Sequence, residues 1–142
     1  AGLKAMKECT EAAKAGQRDV VDGFALLQSI IDGGEDVGLD VYHELFRVII
    51  EIAKDNRACT ADGEKVMEMI VDEEFVPTYE TYELLLEVIA AAAKHRPQKG
   101  FLSEGYELLE QMQEAGLEPR EETFNAYNKI YEAQWPNVVE TD

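Results

Sequence analysis

Two histidines, two cysteines and one dense acidic loop are the residues of this 142-residue chain that could carry out chemistry. A histidine can act as a general base or a metal ligand at neutral pH, but only where other groups converge on it. His43 stands between Tyr42 and Glu44 in a helical stretch and reads as a partly exposed helix residue. His95 lies in the turn K-H-R-P and reads as a solvated loop residue, or as a charge near a helix C-terminus, where the helix dipole favours a cation. Cys9 and Cys59 belong to no C-x-x-C pair and read as reduced, small, core or near-core residues. The loop D-G-G-E-D-V-G-L-D from Asp32 has the charge for calcium. The EF-hand pattern, however, needs Gly where Val37 stands and a bidentate Glu where His43 stands. No G-x-S-x-G, P-loop or H-E-x-x-H occurs, and neither cysteine has a recognisable histidine partner. The chain therefore predicts no catalytic site, no bound metal and no cofactor, which leaves binding as its chemistry.

Charge narrows the partner. Lys and Arg number 13 against 30 Asp and Glu, giving a formal net charge of -17 and a pI near 4.4. Such an excess repels phosphate polyanions at long range and favours cationic partners or simple solubility. The clusters Asp72-Glu73-Glu74 and Glu118, Glu121, Glu122 read first as solvated helix ends and second as an acidic rim for a basic partner. No run of 18 apolar residues and no charged-then-apolar leader is visible, so neither a membrane span nor a signal peptide is expected.

The elements that position these residues come from an internal repeat. V-Y-H-E-L-F-R-V-I-I-E-I-A-K from Val41 aligns with T-Y-E-L-L-L-E-V-I-A-A-A-A-K from Thr81, and D-G-F-A-L-L-Q-S-I-I-D from Asp22 with D-G-E-K-V-M-E-M-I-V-D from Asp62. Pro77 and Pro119 are 42 residues apart, as are Thr81 and Thr123. The units are 1–40, 41–80, 81–122 and a half-unit 123–134 followed by a tail, 135–142, all within one domain, 1–142. Within units the apolar spacing is helical: Tyr42, Leu45, Phe46, Ile49, Ile52 and Ala53 form one stripe, and Tyr82, Leu85, Leu86, Ile89, Ala92 and Ala93 its counterpart. These mark the first, or A, helices. The second, or B, helices show Val20, Phe24, Leu27 and Ile31, then Val66, Met67 and Ile70, then Leu102, Tyr106, Leu109 and Met112.

Turns fall at Ala15-Gly16-Gln17, Asp55-Asn56-Arg57 and His95-Arg96-Pro97 between A and B, and at Gly33-Gly34, Glu73-Glu74 and Gly116 after B. Gly23, Gly63 and Gly105 recur early in the B helices, where Gly costs about 1 kcal/mol against Ala, so they predict close helix–helix approach. The predicted fold is all-α with no sheet: an α-solenoid of about 3.5 helix-turn-helix repeats, seven helices in all, stacked so that neighbours bury a continuous core.

T-Y-E-L-L-L-E-V-I from Thr81, Y-E-L-L-E-Q-M-Q-E-A-G-L-E-P from Tyr106 and T-F-N-A-Y from Thr123 together resemble the pentatricopeptide repeat, most strongly over residues 75 to 127. The closing motif of that family is matched by Leu108, Leu109, Met112, Gly116 and Pro119, although units here, at 40 to 42 residues, are longer than the family's. The resemblance implies paired antiparallel helices, an organellar setting in a mitochondrion or plastid, and either single-stranded RNA binding or service as a protein scaffold. RNA reading in the family uses one polar side chain early in helix A and one at the end of the unit. Those places hold Glu44 with Tyr79 and Leu84 with Glu121, unlike the family's Asn, Asp, Ser and Thr combinations.

The functional expectation is thus a non-catalytic protein-binding scaffold or structural subunit of a larger assembly, with RNA binding as the alternative. The partner-binding residues expected on the outward side of the A helices are Lys4, Lys7 and Glu11, then Glu44, Arg47 and Glu51, then Leu84 and Glu87. The last A helix has no B helix after it and leaves an apolar flank of Phe124, Tyr127 and Tyr131. Trp135, at the start of the tail, is expected either to dock on a partner or to cap that end. A nucleic-acid mimic would need a regular row of acids that this mixed face lacks.

Overall fold

The structure, a computed structural model, describes residues 1–96 and 100–140, the last six of these, 135–140, by backbone alone. Among the described residues it holds seven α-helices and no strand: α1 Gly2–Lys14, α2 Val20–Asp32, α3 Leu39–Lys54, α4 Thr60–Asp72, α5 Tyr79–Ala93, α6 Gly100–Glu114 and α7 Glu121–Glu140. Helices α1, α3, α5 and α7 are the A helices and α2, α4 and α6 the B helices.

Local chemistry starts and stops these helices at the repeat period. The third residue of several helices turns its side chain back to cap the orphan N–H before the first turn. The Asp19 N–H donates to the Asp22 carboxylate at 2.8 Å, Cys59 to Asp62 at 2.9 Å, Thr78 to the Thr81 hydroxyl at 2.9 Å and Arg120 to Thr123 at 3.3 Å. At the other ends one residue enters the left-handed region: Gly16 and Asn56 after α1 and α3, then Gly34, Glu74 and Gly116 after α2, α4 and α6. The next N–H closes back on the last turn, as from Gln17 to the Ala12 carbonyl and from Leu117 to that of Met112. Residues 97–99 of the third A-to-B connection, including Pro97 of its expected turn, lie outside the described residues.

The A helices pack side by side in the order α1, α3, α5, α7, and each B helix lies against its own A helix and the next one. The recurrent glycines make the second of these contacts possible. A Cβ on Gly23 would stand 3.0 Å from Leu45, one on Gly63 2.9 Å from both Leu85 and Val88, and one on Gly105 2.8 Å from Ile130. One core runs through the stack, from Met6 and Leu27 through Phe46, Ile49 and Ile52 to Leu86, Val88, Met112 and Ile130. B helices meet one another through long side chains, as where the Lys65 ammonium sits 4.4 Å from the centre of the Phe24 ring.

One boundary differs from the sequence reading. The backbone of α7 continues to Glu140 instead of giving way to a tail at 135. Pro136 lies within this helix, where a proline removes one bond to the preceding turn and can leave the helix running on.

Candidate docking surfaces

The predicted A-helix row divides by depth. Lys4, Lys7 and Glu11 on α1 are exposed, and Arg47, Glu51 and Glu87 are half-buried. Glu44 and Leu84, expected to face outward, are buried. The reason is that α3 and α5 have an A helix on each side as well as B helices behind, so the middle of the row is closed by neighbours. Glu44 accepts a 2.6 Å hydrogen bond from the Thr10 hydroxyl of α1 and a 3.1 Å bond from Arg47, which also pairs with Glu80 of α5. Leu84 is simply core. Neither residue is offered to a partner.

His43 is buried too, against the expectation of partial exposure. Its Nε2 lies 2.7 Å from the Thr81 hydroxyl and its Nδ1 3.4 Å from the Glu80 carboxylate. Since Thr81 already accepts from the Thr78 N–H, the consistent assignment has Thr81 donating to Nε2 and Nδ1–H pointing at Glu80. Burial pushes the His43 pKa below its ordinary value, Glu80 pulls it back up and Arg47 adds to the lowering, with a net shift downward that favours the neutral ring. Hydroxyl, imidazole and carboxylate in this order imitate a nucleophilic triad. Thr81, however, is fully buried, so no substrate carbonyl can reach its hydroxyl. The same rung recurs one unit on, with a carboxylate in place of the imidazole. Glu83 accepts from the Thr123 hydroxyl at 2.8 Å and from both Nε and Nη2 of Arg120 at 2.9 Å. The Arg120 hydrogen bonds, reinforced by Thr123, hold the Glu83 carboxyl below its usual range despite burial. Both rungs bind one A helix to the next.

A groove of about 310 Å³ crosses the A face over α3, α5 and α7. Ile50, Ala90, Ala91 and Ala133 form its floor, and Lys54, Lys94 and Lys129 reach its edges beside Glu87 and Glu132. Lys129 is tied to Glu87 at 2.8 Å and Lys54 to Glu51 at 2.9 Å, which leaves little uncompensated positive charge. His95 sits at this end, exposed, with its ring 2.7 Å from the Lys54 carbonyl at the C-terminus of α3.

Among the described residues, one flank of α7 carries exposed aromatic rings. Tyr42 and Tyr82 are 2% and 7% exposed, whereas Phe124 at the same place in α7 is 49% exposed. Ile49 and Ile89 are 0% and 3% exposed, and their counterpart Tyr131 is 40%. In α3 and α5 these positions lie within the core, with a B helix following in the chain; among the described residues no B helix follows α7. Tyr127 is half-buried against Gly105, and the side chain of Trp135 lies outside the described residues. Beside this flank, Leu102, Ser103, Tyr106, Glu107 and Glu110 of α6 form with Tyr127 an open groove of about 400 Å³. Further along the B layer Glu64, Glu104 and Glu107 share a recess with Leu85 and Leu108. Burial, and then repulsion from Glu64 and Glu107, raise the Glu104 carboxyl above its ordinary pKa.

Cys9 is a buried free thiol, its pKa raised by burial, and Cys59 a partly buried one. Among the described residues no three metal-ligating side chains converge, and no helix is long and apolar enough to cross a membrane. The rungs escaped the sequence reading. Their signal was present, a threonine before the first aromatic of the repeat in α5 and in α7, Thr81 and Thr123, and a polar residue, His43 or Glu83, inside the apolar stretch of the preceding A helix. The fold thus defines a class, an all-α protein of repeated helical hairpins. In comparison with known proteins, no family model matches the chain and no curated protein is significantly similar to it.

Proposed function

We propose that this chain is a non-catalytic, protein-binding helical-repeat scaffold, one subunit of a larger assembly, which engages its partner through the open end of α7 and the exposed part of the A face. The observation that carries this reading is the exposure of Phe124 and Tyr131, 49% and 40%, at positions kept at 7% or less in the preceding units. Exposed aromatic flanks of this kind are commonly covered by a partner. The resemblance to pentatricopeptide repeats adds an organellar setting to the proposal.

RNA binding is the second reading, favoured by the three lysines around the A-face groove, where single-stranded RNA would lie in that family. Compensation of Lys54 and Lys129 by Glu51 and Glu87, together with the -17 charge, weighs against it. Affinity purification from native extract with and without RNase, using the wild type and a Phe124→Ser/Tyr131→Ser variant, separates the two. A scaffold keeps its proteins in fixed ratio after RNase and loses them in the variant. Loss of all partners with the RNA would overturn the proposal.

A further inference from the structure

Lys14, Lys54 and Lys94 stand 40 residues apart at the C-terminal ends of α1, α3 and α5, and three residues before them come Glu11, Glu51 and Ala91. In the first two units the lysine closes on its own helix: Lys14 Nζ lies 2.9 Å from the Glu11 carboxylate and Lys54 Nζ 2.9 Å from that of Glu51. In the third unit Ala91 supplies no carboxylate, and Lys94 is exposed with no ion-pair partner among the described residues. The same exchange makes the A-face groove. Ala90 stands where α3 has Ile50, Ala91 where it has Glu51, and Ala133 repeats the small residue in α7. About 310 Å³ is left above these methyl groups, with Lys94 at its edge. That is room for roughly ten non-hydrogen atoms, taking the ~30 Å³ that each water occupies in the liquid. Lys54 and Lys129 also reach the groove, but each already holds a carboxylate, Glu51 and Glu87.

We infer that this groove binds a small aliphatic monocarboxylate, its carboxylate accepting from Lys94 Nζ as Glu51 does from Lys54, and its alkyl chain lying over Ala90, Ala91 and Ala133. The site is independent of the scaffold reading and adds a small-molecule ligand to the A face. Three observations agree on it. The two earlier units show which group the lysine pairs with, a carboxylate. The floor is methyl surface, which an alkyl chain covers and a sugar or a polar side chain does not. The remaining acids, Glu87 and Glu132, and the net charge of -17 tolerate one negative charge at the Lys94 edge and repel a polyanion laid along the groove.

The test titrates the full chain by calorimetry with octanoate, which has the size of the groove, and with octanol and octylamine as probes of the chain alone and of the opposite charge. Octanoate is expected to bind about tenfold or more tighter than either. Lys94→Gln, on an exposed side chain, is expected to weaken octanoate about tenfold and to leave octanol unchanged. Ala91→Glu gives α5 the carboxylate that α3 carries at Glu51, and is expected to abolish octanoate binding while the circular dichroism of the chain stays as it was. A carbon-13 label on the octanoate carboxyl should shift on binding to the wild type and not with Lys94→Gln. No binding of octanoate, equal affinity for the three probes, or an octanoate affinity indifferent to Lys94→Gln overturns the inference. So does displacement of octanoate by a single-stranded oligonucleotide whose own affinity falls with Lys94→Gln, since the groove would then belong to RNA. Should Ala91→Glu unfold the chain, Lys94→Gln and the ranking of the three probes decide alone.

Discussion

Replacing Gly63 by Ala tests whether the recurrent glycines set the spacing of the stack. In a helix interior the change gains about 1 kcal/mol of helix propensity. Against that, the new methyl carbon would lie 2.9 Å from Leu85 Cδ1, 2.9 Å from Val88 Cγ1 and 3.2 Å from Val88 Cβ. Leu85 can swing its terminal methyl aside, but Val88 has no flexible end to move, and it is fully buried in α5. Overpacking of this kind costs about 1–3 kcal/mol. The balance is a net loss of about 1 kcal/mol, or a melting temperature lower by about 3 °C for a chain of this size. Gly23→Ala meets only the end of Leu45 at 3.0 Å and Val48 at 3.3 Å, so its loss is smaller and close to zero. Urea unfolding followed by circular dichroism gives both values. A Gly63→Ala variant more stable than the wild type, or a Gly23→Ala variant hurt more than it, would refute the reasoning, because propensity and not close approach would then govern these sites.

Glu74→Gly is expected to stabilise by about 0.5–1 kcal/mol, because relief of a left-handed non-glycine residue outweighs the added entropy of the unfolded chain, and a higher urea midpoint records it. His43 has a folded pKa below its unfolded value, so the unfolded chain takes up the proton first. Its contribution is therefore present above the ordinary histidine range and is lost as pH falls through that range, and His43→Gln should flatten this part of the urea-midpoint profile relative to wild type. Glu83 has its folded pKa depressed, so its contribution is present above the usual carboxylate range and lost below it. Glu83→Gln is expected to cost about 1–2 kcal/mol at neutral pH, with the difference from wild type closing in acid as followed by thermal melts across pH.

How much the sequence disclosed depended on the range of each interaction. Turn glycines, the N-terminal threonines and the B-helix glycines act locally or at the repeat period, and offset alignment finds them. Depth within the A layer is a different matter. A helix with one buried side shows a single apolar stripe, and α1, at one end of the stack, does. In α3 every residue from Val41 to Phe46 is buried, His43 and Glu44 included, because neighbours close three sides. A one-stripe reading therefore placed Glu44 and Leu84 outside and left His43 half in water. Their partners Thr10, Thr81 and Glu80 come from A helices some 34 to 38 residues away, and no single-helix pattern reports them. Phe124 illustrates the converse: its type and spacing are those of a core residue, and its exposure follows from what does not lie over it.

The two ends of the stack differ in a way that bears on assembly. Toward α2, α3 presents Leu45, Val48 and Ile52, all fully buried. The same places on α1, where a preceding B helix would sit, hold Ala5, Glu8 and Ala12, small or charged side chains that leave nothing for such a helix to bury. At the other end Phe124, Tyr131 and Tyr106 retain the large apolar surface that a following helix would need. A helix added at the α1 end would gain little burial and would desolvate Glu8, whereas one added at the α7 end would cover several aromatic rings, worth about 1.5–3 kcal/mol for each fully buried side chain. Under the proposed scaffold reading, a partner helix would add at the α7 flank and not at the α1 flank. It follows that substitutions at Ala5 or Ala12 should leave the partner in place while those at Phe124 or Tyr131 release it, a contrast that a bridge through both ends, or a contact along the A face alone, would not produce.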